Sequence, residues 1–144
     1  MVGRENKKSK GVKSTIKLVR RGKMGKRVKK FEDLKVWKES IRLAIDIYKT
    51  LVDARDFGLR DQLQRSAVSV PSNIAEGFER QSNKEFIQHL YIAKGSIGEL
   101  RTQLYIAIET ALIEEATGNE FIEQTQKIAA MLFNLIKTRK ERFT

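Results

Sequence analysis

The chain has 144 residues, of which 40% are hydrophobic and none is cysteine, so it can bury one core but can form no disulfide or thiolate metal site. It contains no run of about 18 apolar residues and no apolar secretory region near its start, which argues against a membrane span and favours a cytoplasmic protein. The formal net charge of +11 indicates an anionic partner if the charge is concentrated in one place.

The positive charge is concentrated in the first 30 residues. They contain thirteen Lys or Arg and one acid, Glu5, for a net charge of +12, whereas the rest of the chain has sixteen basic and seventeen acidic side chains, for −1. With four glycines and few large apolar side chains, this segment cannot offset the entropy of ordering it. We expect residues 1–30 to be a disordered tail and residues 31–144 to fold. Translation from Met24, or read-through of upstream sequence, is an open alternative that removes most of the charge argument.

The first two predicted helices carry apolar residues at steps of three and four. In the first helix, one apolar stripe consists of Leu34, Trp37, Ile41, Ala44, Tyr48 and Leu51. Val36, Leu43 and Ile47 lie beside this stripe and widen the apolar face. The second begins near Gly58, and its apolar face consists of Leu59, Leu63, Ala67, Val70, Ile74 and Phe78. Because Pro71 cannot donate a backbone hydrogen bond, we expect a kink near Ser69 to Ser72.

The third and fourth predicted helices are separated by a break around Thr117, Gly118 and Asn119. Ser82 followed by Glu85 fits a capping box that opens the third helix. The apolar face of the third helix consists of Phe86, Leu90, Ala93, Ile97, Leu100, Leu104 and Ile108. The apolar face of the fourth consists of Phe121, Ile128, Leu132, Leu135 and Ile136.

Short connections between successive helices favour antiparallel neighbours, so the predicted fold is an all-α, up-down-up-down four-helix bundle with a kinked second helix. One end of such a bundle would collect basic residues and the other acidic ones. The residues expected to contact nucleic acid are Lys17, Arg20, Arg21, Lys23, Lys26, Arg27, Lys29, Lys30, Arg80, Lys137, Arg139, Lys140 and Arg142, with Lys84 beside them. The acidic residues expected at the other end are Asp53, Asp56, Glu114, Glu115, Glu120 and Glu123.

Catalytic and metal-binding motifs are scarce in this sequence. A di-iron bundle needs a Glu-x-x-His pair on each of two helices, whereas the single histidine, His89, lies four residues after Glu85. There is no nucleophile elbow and no glycine-rich phosphate loop. We therefore expect no enzymatic activity, no cofactor and no metal, and we interpret His89 as a helix-face residue.

Several polar and small residues in the second and third helices are candidates for structural roles. Gly95 and Gly98 indicate a place where another backbone approaches closely, since glycine costs about 1 kcal/mol in a helix. Buried polar groups need partners, so an interhelical hydrogen-bond network or a subunit contact is expected at Ser72, Asn73, Glu76, Ser96 and Glu99.

Three segments carry a resemblance to a known family: Phe31-Glu-Asp-Leu-Lys-Val-Trp, Phe57-Gly-Leu with Asp61-Gln-Leu-Gln-Arg-Ser-Ala, and Ser69-Val-Pro-Ser-Asn-Ile-Ala-Glu-Gly. The third helix adds Phe86, Leu90, Tyr91, Ala93, Gly95-Ser96, Glu99 and Thr102-Gln-Leu. Together they resemble the four-helix-bundle proteins named after intervening sequences in bacterial 23S rRNA genes. The positions carried over as structural or interface residues are Arg65, Pro71, Ser72, Asn73, Glu76, Gly77, Gly95, Ser96 and Glu99.

The resemblance implies a cyclic homo-oligomer, commonly a pentamer, without known enzymatic activity. The basic tail departs from the usual family start, which lies close to Phe31. Two functions stay open: a module that contacts RNA or DNA through the tail and the basic end, and a protein–protein scaffold that recruits a protein partner.

Overall fold

The structure, a computed structural model, describes residues 28–143, which contain four α-helices and no strand. A short 3-10 turn at Phe31–Asp33 precedes α1 (Lys35–Thr50), α2 (Phe57–Glu79), α3 (Asn83–Glu109) and α4 (Glu115–Phe143). Each helix packs against its neighbours in the chain, α2 most extensively against α3, and α1 contacts α4 least. The predicted all-α four-helix bundle is confirmed.

The core consists chiefly of leucine and isoleucine side chains, to which all four helices contribute. Burial of one such side chain stabilises the folded state by about 1.5–3 kcal/mol. The largest fully buried side chains are Leu43, Ile47, Leu51, Leu63, Ile74, Leu90, Ile97, Leu100, Leu104, Ile113, Ile128 and Leu132.

The face that α1 buries differs from the predicted stripe. Leu43 and Ile47, expected only to widen the stripe, are almost completely buried, whereas Tyr48 in the predicted stripe is 46% exposed. Trp37 and Ile41 are partly exposed. Because α1 packs mainly against α2 and little against α4, its apolar surface is wider than the face it buries.

The second helix continues through its proline. It begins after Asp56, whose Oδ1 accepts a hydrogen bond from the backbone N–H of Leu59 at 3.1 Å. Pro71 is buried inside the helix and does not begin a new one. The kink expected there stays a prediction.

The predicted N-cap of α3 at Ser82 is confirmed, but Glu85 bonds to the Ser82 hydroxyl and not to the Ser82 backbone N–H as in a full capping box. Ser82 Oγ accepts a hydrogen bond from the backbone N–H of Glu85 at 3.1 Å and donates one to Glu85 Oε1 at 3.1 Å. This side chain therefore satisfies one of the backbone donors that every helix leaves free at its start.

The predicted break around Thr117 to Asn119 is wrong, because α4 begins at Glu115. The chain turns earlier, where Ala111 adopts φ 60° and the N–H of Leu112 donates to the carbonyl of Ala107 at 2.8 Å. This is the hydrogen-bond pattern of a Schellman motif, here made without glycine. Gly118 lies buried inside α4, where a Cβ would come within 2.6 Å of the Ile108 Cδ1 atom. Gly118 thus allows close packing against the end of α3.

Candidate nucleic-acid interface

Three chain segments meet at one end of the bundle, which we call the basic pole: the start of α1, the α2–α3 turn and the end of α4. Asn83 Nδ2 donates to the Arg139 carbonyl at 3.1 Å, and Arg139 Nε donates to Asn83 Oδ1 at 2.7 Å. Phe31, before α1, shares one groove with Ala75 near the end of α2. The basic residues of this pole are Lys29, Lys30, Arg80, Lys84, Lys137, Arg139, Lys140 and Arg142.

Most of the predicted tail contacts, Lys17, Arg20, Arg21, Lys23, Lys26 and Arg27, lie outside the described residues. The described chain begins at Val28, and Lys29 and Lys30 are exposed just before the 3-10 turn. The ring of Phe31 packs edge-on against Trp37 with centroids 5.3 Å apart, which holds this entry point against α1. The tail is therefore joined to the bundle at the basic pole.

Arg80 is held by carboxylates of its own chain. Its guanidinium lies 2.6 Å from Glu76 Oε2 and 3.5 Å from Glu85 Oε2. The hydrogen bond from Arg80 lowers the pKa of the Glu76 carboxyl, and the same bond raises the pKa of Arg80. Arg80 is thus a weaker candidate for phosphate contact than an unpaired arginine would be.

Arg139 and Lys140 both contact aromatic side chains. The Arg139 guanidinium lies 5.0 Å from the centroid of Phe86, and the Lys140 ammonium lies 4.9 Å from the centroid of Tyr91. Lys140 Nζ also donates to the Tyr91 hydroxyl at 2.6 Å. These contacts fix the last turns of α4 against the first turns of α3.

The opposite end, which we call the acidic pole, contains the two other connections of the bundle. The predicted acidic residues are all exposed there, in the α1–α2 connection, the α3–α4 connection and the first turns of α4: Asp53, Asp56, Glu114, Glu115, Glu120 and Glu123. The two ends of the bundle therefore differ in charge along its long axis.

A layer of polar side chains joins α2 to α3, and we call it the α2–α3 polar layer. Ser66 Oγ donates to Glu99 Oε1 at 3.2 Å, and the hydroxyls of Ser69 and Ser96 lie 2.8 Å apart. Asn73 Nδ2 donates to the Ser69 carbonyl at 2.9 Å. Because the two bonds between α2 and α3 form only at one alignment of these helices, they favour one register.

His89 extends this layer towards the basic pole. Its Nδ1 lies 3.1 Å from Asn73 Oδ1, and its Nε2 lies 3.8 Å from Glu76 Oε2. Gly77 is buried beneath it, with a hypothetical Cβ only 2.5 Å from the His89 Cβ atom. His89 thus lies on the helix face that meets α2.

The two glycines of α3 do not serve the close approach expected within this chain. A Cβ added at Gly95 or Gly98 would meet no other described atom within 4 Å. Gly95 faces outward between the exposed Ile92 and Ile106, which are 51% and 47% exposed. Packing inside the bundle therefore does not explain either glycine.

An apolar groove, the α1–α2 groove, runs along the outside of α1 and α2. It encloses about 510 Å³, and its apolar lining includes Trp37, Ile41, Ile45, Tyr48, Val68 and Pro71. Ser72 lies on its wall, exposed and away from α3, so the structure does not bring Ser72 into the α2–α3 polar layer. Arg65 is exposed in a shallower depression beside Asp61.

Among residues 28–143, no three His, Asp or Glu side chains come together in a way that could hold a metal ion. No described helix is long and apolar enough to cross a membrane. The one buried side-chain polar atom without a hydrogen-bond partner in this range is Gln103 Oε1.

A family comparison decides the relationship of this chain to known proteins. The family model described as 23S rRNA-intervening sequence protein matches residues 32–134. The chain belongs to this family. The match begins just after Phe31, so the basic tail of this intervening-sequence protein lies outside it.

A solved structure supports the same assignment. A protein of unknown function from the S23 ribosomal protein family of Bacteroides thetaiotaomicron is similar to this intervening-sequence protein with a TM-score of 0.67 and 30% sequence identity. The alignment covers 71% of this chain and 98% of that chain. No match was found among the curated proteins.

Sequence reasoning missed several residues that the structure brings together in this intervening-sequence protein. Ser66 and Ser69 belong to the α2–α3 polar layer, although the sequence analysis named only their partners on α3. Phe133 was not singled out, yet its exposed ring lies beneath the Lys94 ammonium at 5.8 Å. The position of a polar or exposed aromatic residue in the sequence does not indicate which residue of another helix it will contact.

Proposed function

We propose that this intervening-sequence protein is a non-enzymatic, self-assembling bundle that contacts RNA or DNA through its basic tail and basic pole. The observation that carries the proposal is the joining of the tail, with its net charge of +12 over residues 1–30, to the end of the bundle that also contains Lys84, Lys137 and Arg142. Lysine and arginine contacts to phosphates give binding that depends little on sequence.

Self-assembly is supported by apolar surface that the single chain leaves exposed. The α1–α2 groove contains Ile45 and Tyr48, which are 47% and 46% exposed, and the outer side of α3 adds Ile92 and Ile106. A contiguous apolar surface such as the α1–α2 groove is typical of subunit contacts. Assembly into a ring, such as the pentamer implied by the resemblance, would bring several tails to one nucleic acid and raise the overall affinity.

The test compares nucleic-acid binding by the full chain and by residues 28–144 at 50 and 200 mM salt, with particle mass measured on the same samples. The shorter chain should fold, because 71% of this chain is enough to align with 98% of the similar Bacteroides protein. If about six phosphates are contacted, the affinity of the full chain should fall on the order of a thousandfold between the two salt concentrations. A flat salt profile contradicts the proposal.

Point variants separate the pole from the tail. Lys84→Gln with Lys137→Gln removes two exposed charges at the basic pole, and the matched control removes two exposed lysines elsewhere, Lys49 and Lys127. The pole variant should bind more weakly and with a smaller salt slope than the control variant. Equal binding by both variants would exclude the pole.

A protein scaffold is the second candidate, favoured by the α1–α2 groove. In that case neither the full chain nor residues 28–144 binds nucleic acid, and both assemble to the same number of copies. The partner would then be a protein with an apolar surface that fits the groove.

A further inference from the structure

Two exposed aromatic rings lie between α3 and α4, each contacted by a lysine of the other helix. α3 provides Tyr91 and Lys94, and α4 provides Phe133 and Lys140. The Lys140 ammonium lies 4.9 Å from the Tyr91 centroid, and the Lys94 ammonium lies 5.8 Å from the Phe133 centroid. With Lys137, one turn beyond Phe133 and exposed, these residues form what we call the α3–α4 strip.

Core packing does not account for the rings of the strip. Tyr91 is 47% exposed and Phe133 is 57% exposed. An exposed cation–π contact stabilises the fold only weakly, and any aromatic–lysine pair on a surface can provide that stabilisation. Exposed rings alternating with cations are also the arrangement that binds single-stranded nucleic acid.

We infer that the α3–α4 strip binds unpaired RNA or DNA, with bases stacked on Tyr91 and Phe133 and phosphates held by Lys94, Lys137 and Lys140. The inference rests on the proposed function and extends it from phosphates at the pole to bases on the bundle. The charge of the strip favours this occupant over an apolar protein surface, since Lys94 and Lys140 each contact a ring and Lys137 is exposed one turn beyond Phe133.

The lysines suit such a site because they can exchange partners. A lysine ammonium on its flexible four-carbon stem can leave the ring that it contacts and bind a phosphate, so its charge remains paired. The ring is then free to stack on a base. Duplex bases are already stacked on one another and present no free face, so the strip should discriminate against duplex. Tyr91 lies eight residues beyond Asn83, about 12 Å from the basic pole along α3, so a strand bound at the pole can continue onto the strip.

The experiment uses the full chain with a labelled single strand and with a duplex of the same length, each at several salt concentrations. The test variant is Tyr91→Ala with Phe133→Ala. The matched control is Tyr105→Ala with Phe57→Ala, which removes two rings that are 53% and 60% exposed. Phe57 is a close match because it also has a cation over its ring, Arg60 at 4.6 Å, but it lies near the acidic pole. Circular dichroism and particle mass verify that each variant keeps its fold and assembly.

Stacking contributes about 1–3 kcal/mol per base, so the test variant should bind the single strand at least about tenfold more weakly than the wild type. Its duplex binding and its salt slope should stay unchanged, because it removes no charge. The control variant should bind like the wild type. Tyr91→Phe, which keeps the ring and loses the hydroxyl, should also bind like the wild type.

Four outcomes would overturn the inference. Equal single-strand affinity of test and control variants would show that the rings do not stack on bases. A test variant that changes the particle mass would identify the strip as a contact between copies of this chain. A wild type that binds both strands equally, with a steep salt slope, would leave the basic-pole proposal intact and remove only the strip, whereas a wild type that binds neither would remove both.

Discussion

Gly77 and Gly95 lie in helices for different reasons. At Gly77, near the end of α2, an added Cβ would lie 2.5 Å from the His89 Cβ and 3.1 Å from the Phe86 Cδ1, so the helix can approach α3 only without a side chain. At Gly95, on the outer side of α3, an added Cβ would meet no atom of residues 28–143 within 4 Å. The fold therefore requires one glycine and merely tolerates the other.

Alanine substitutions should separate these two roles. Gly77→Ala should lower the free energy of unfolding by about 1–3 kcal/mol, because the new methyl group overlaps the first turns of α3. Gly95→Ala should raise it by about 1 kcal/mol, because alanine loses less backbone entropy in a helix. Urea denaturation of both variants measures the difference, and equal stabilities would contradict the close approach at Gly77.

The sequence predicts contacts between residues that are close together along the chain. It does not predict contacts between residues on different helices. The cap formed by Ser82 and Glu85 follows from a spacing of three residues. The pairing of Tyr91 with Lys140 spans 49 residues, and no local pattern encodes it. The same holds for the bond between Ser66 and Glu99.

The turn between α3 and α4 contains an alanine, Ala111, in a backbone conformation that usually requires glycine. Ala111 adopts φ 60°, a left-handed conformation that costs an L-residue with a side chain about 1–2 kcal/mol and glycine almost nothing. Glycine is the usual signal for the end of a helix, so the sequence predicted the break at Gly118, seven residues after Ala111, where the chain turns. Gly118 instead makes room for Ile108.

Substitution of the turn residue tests this explanation. Ala111→Gly should raise the free energy of unfolding by about 1 kcal/mol, because it relieves the left-handed alanine. Ala130→Gly, at an exposed position inside α4, should lower it by about 1 kcal/mol. Thermal denaturation of the two variants should therefore shift in opposite directions, and a lower melting temperature for Ala111→Gly would contradict the assigned turn.

The predicted apolar face of α3 agrees with the structure, whereas the predicted face of α1 is only partly buried. Every residue of the predicted α3 face is buried except Ile108, which is partly exposed, because α3 packs against both α2 and α4. On α1 two adjacent apolar stripes have the same helical period, and periodicity cannot decide which one faces the core. The core contains Leu43 and Ile47 together with Leu51 of the predicted stripe, whereas Trp37, Ile41 and Tyr48 of that stripe line the α1–α2 groove.

Self-assembly of the whole molecule can be measured by tryptophan fluorescence. Trp37 is the only tryptophan of the chain, and it lines the α1–α2 groove. If assembly covers the groove, Trp37 fluorescence should shift to shorter wavelength as protein concentration rises. Ile45→Glu should raise the dissociation constant of the assembly on the order of tenfold or more, since burial of an isoleucine contributes about 1.5–3 kcal/mol.

The matched control is Val52→Glu, which places the same charge at a 73% exposed site just after α1, outside the groove lining. This variant should assemble like the wild type. Analytical ultracentrifugation gives the masses, and assembly of Ile45→Glu as tight as that of Val52→Glu would exclude the groove as a subunit contact.

Both described ends of the chain, Val28 and Phe143, belong to the basic pole, and the helices that lead away from them, α1 and α4, have the least extensive contact in the bundle. Tension applied between the two ends would therefore peel α1 from α4 one turn at a time, instead of shearing whole helices past one another. Unzipping of this kind breaks few contacts at each step and resists little force. A pull on the tail would therefore load the small α1–α4 contact before the extensive packing of α2 against α3.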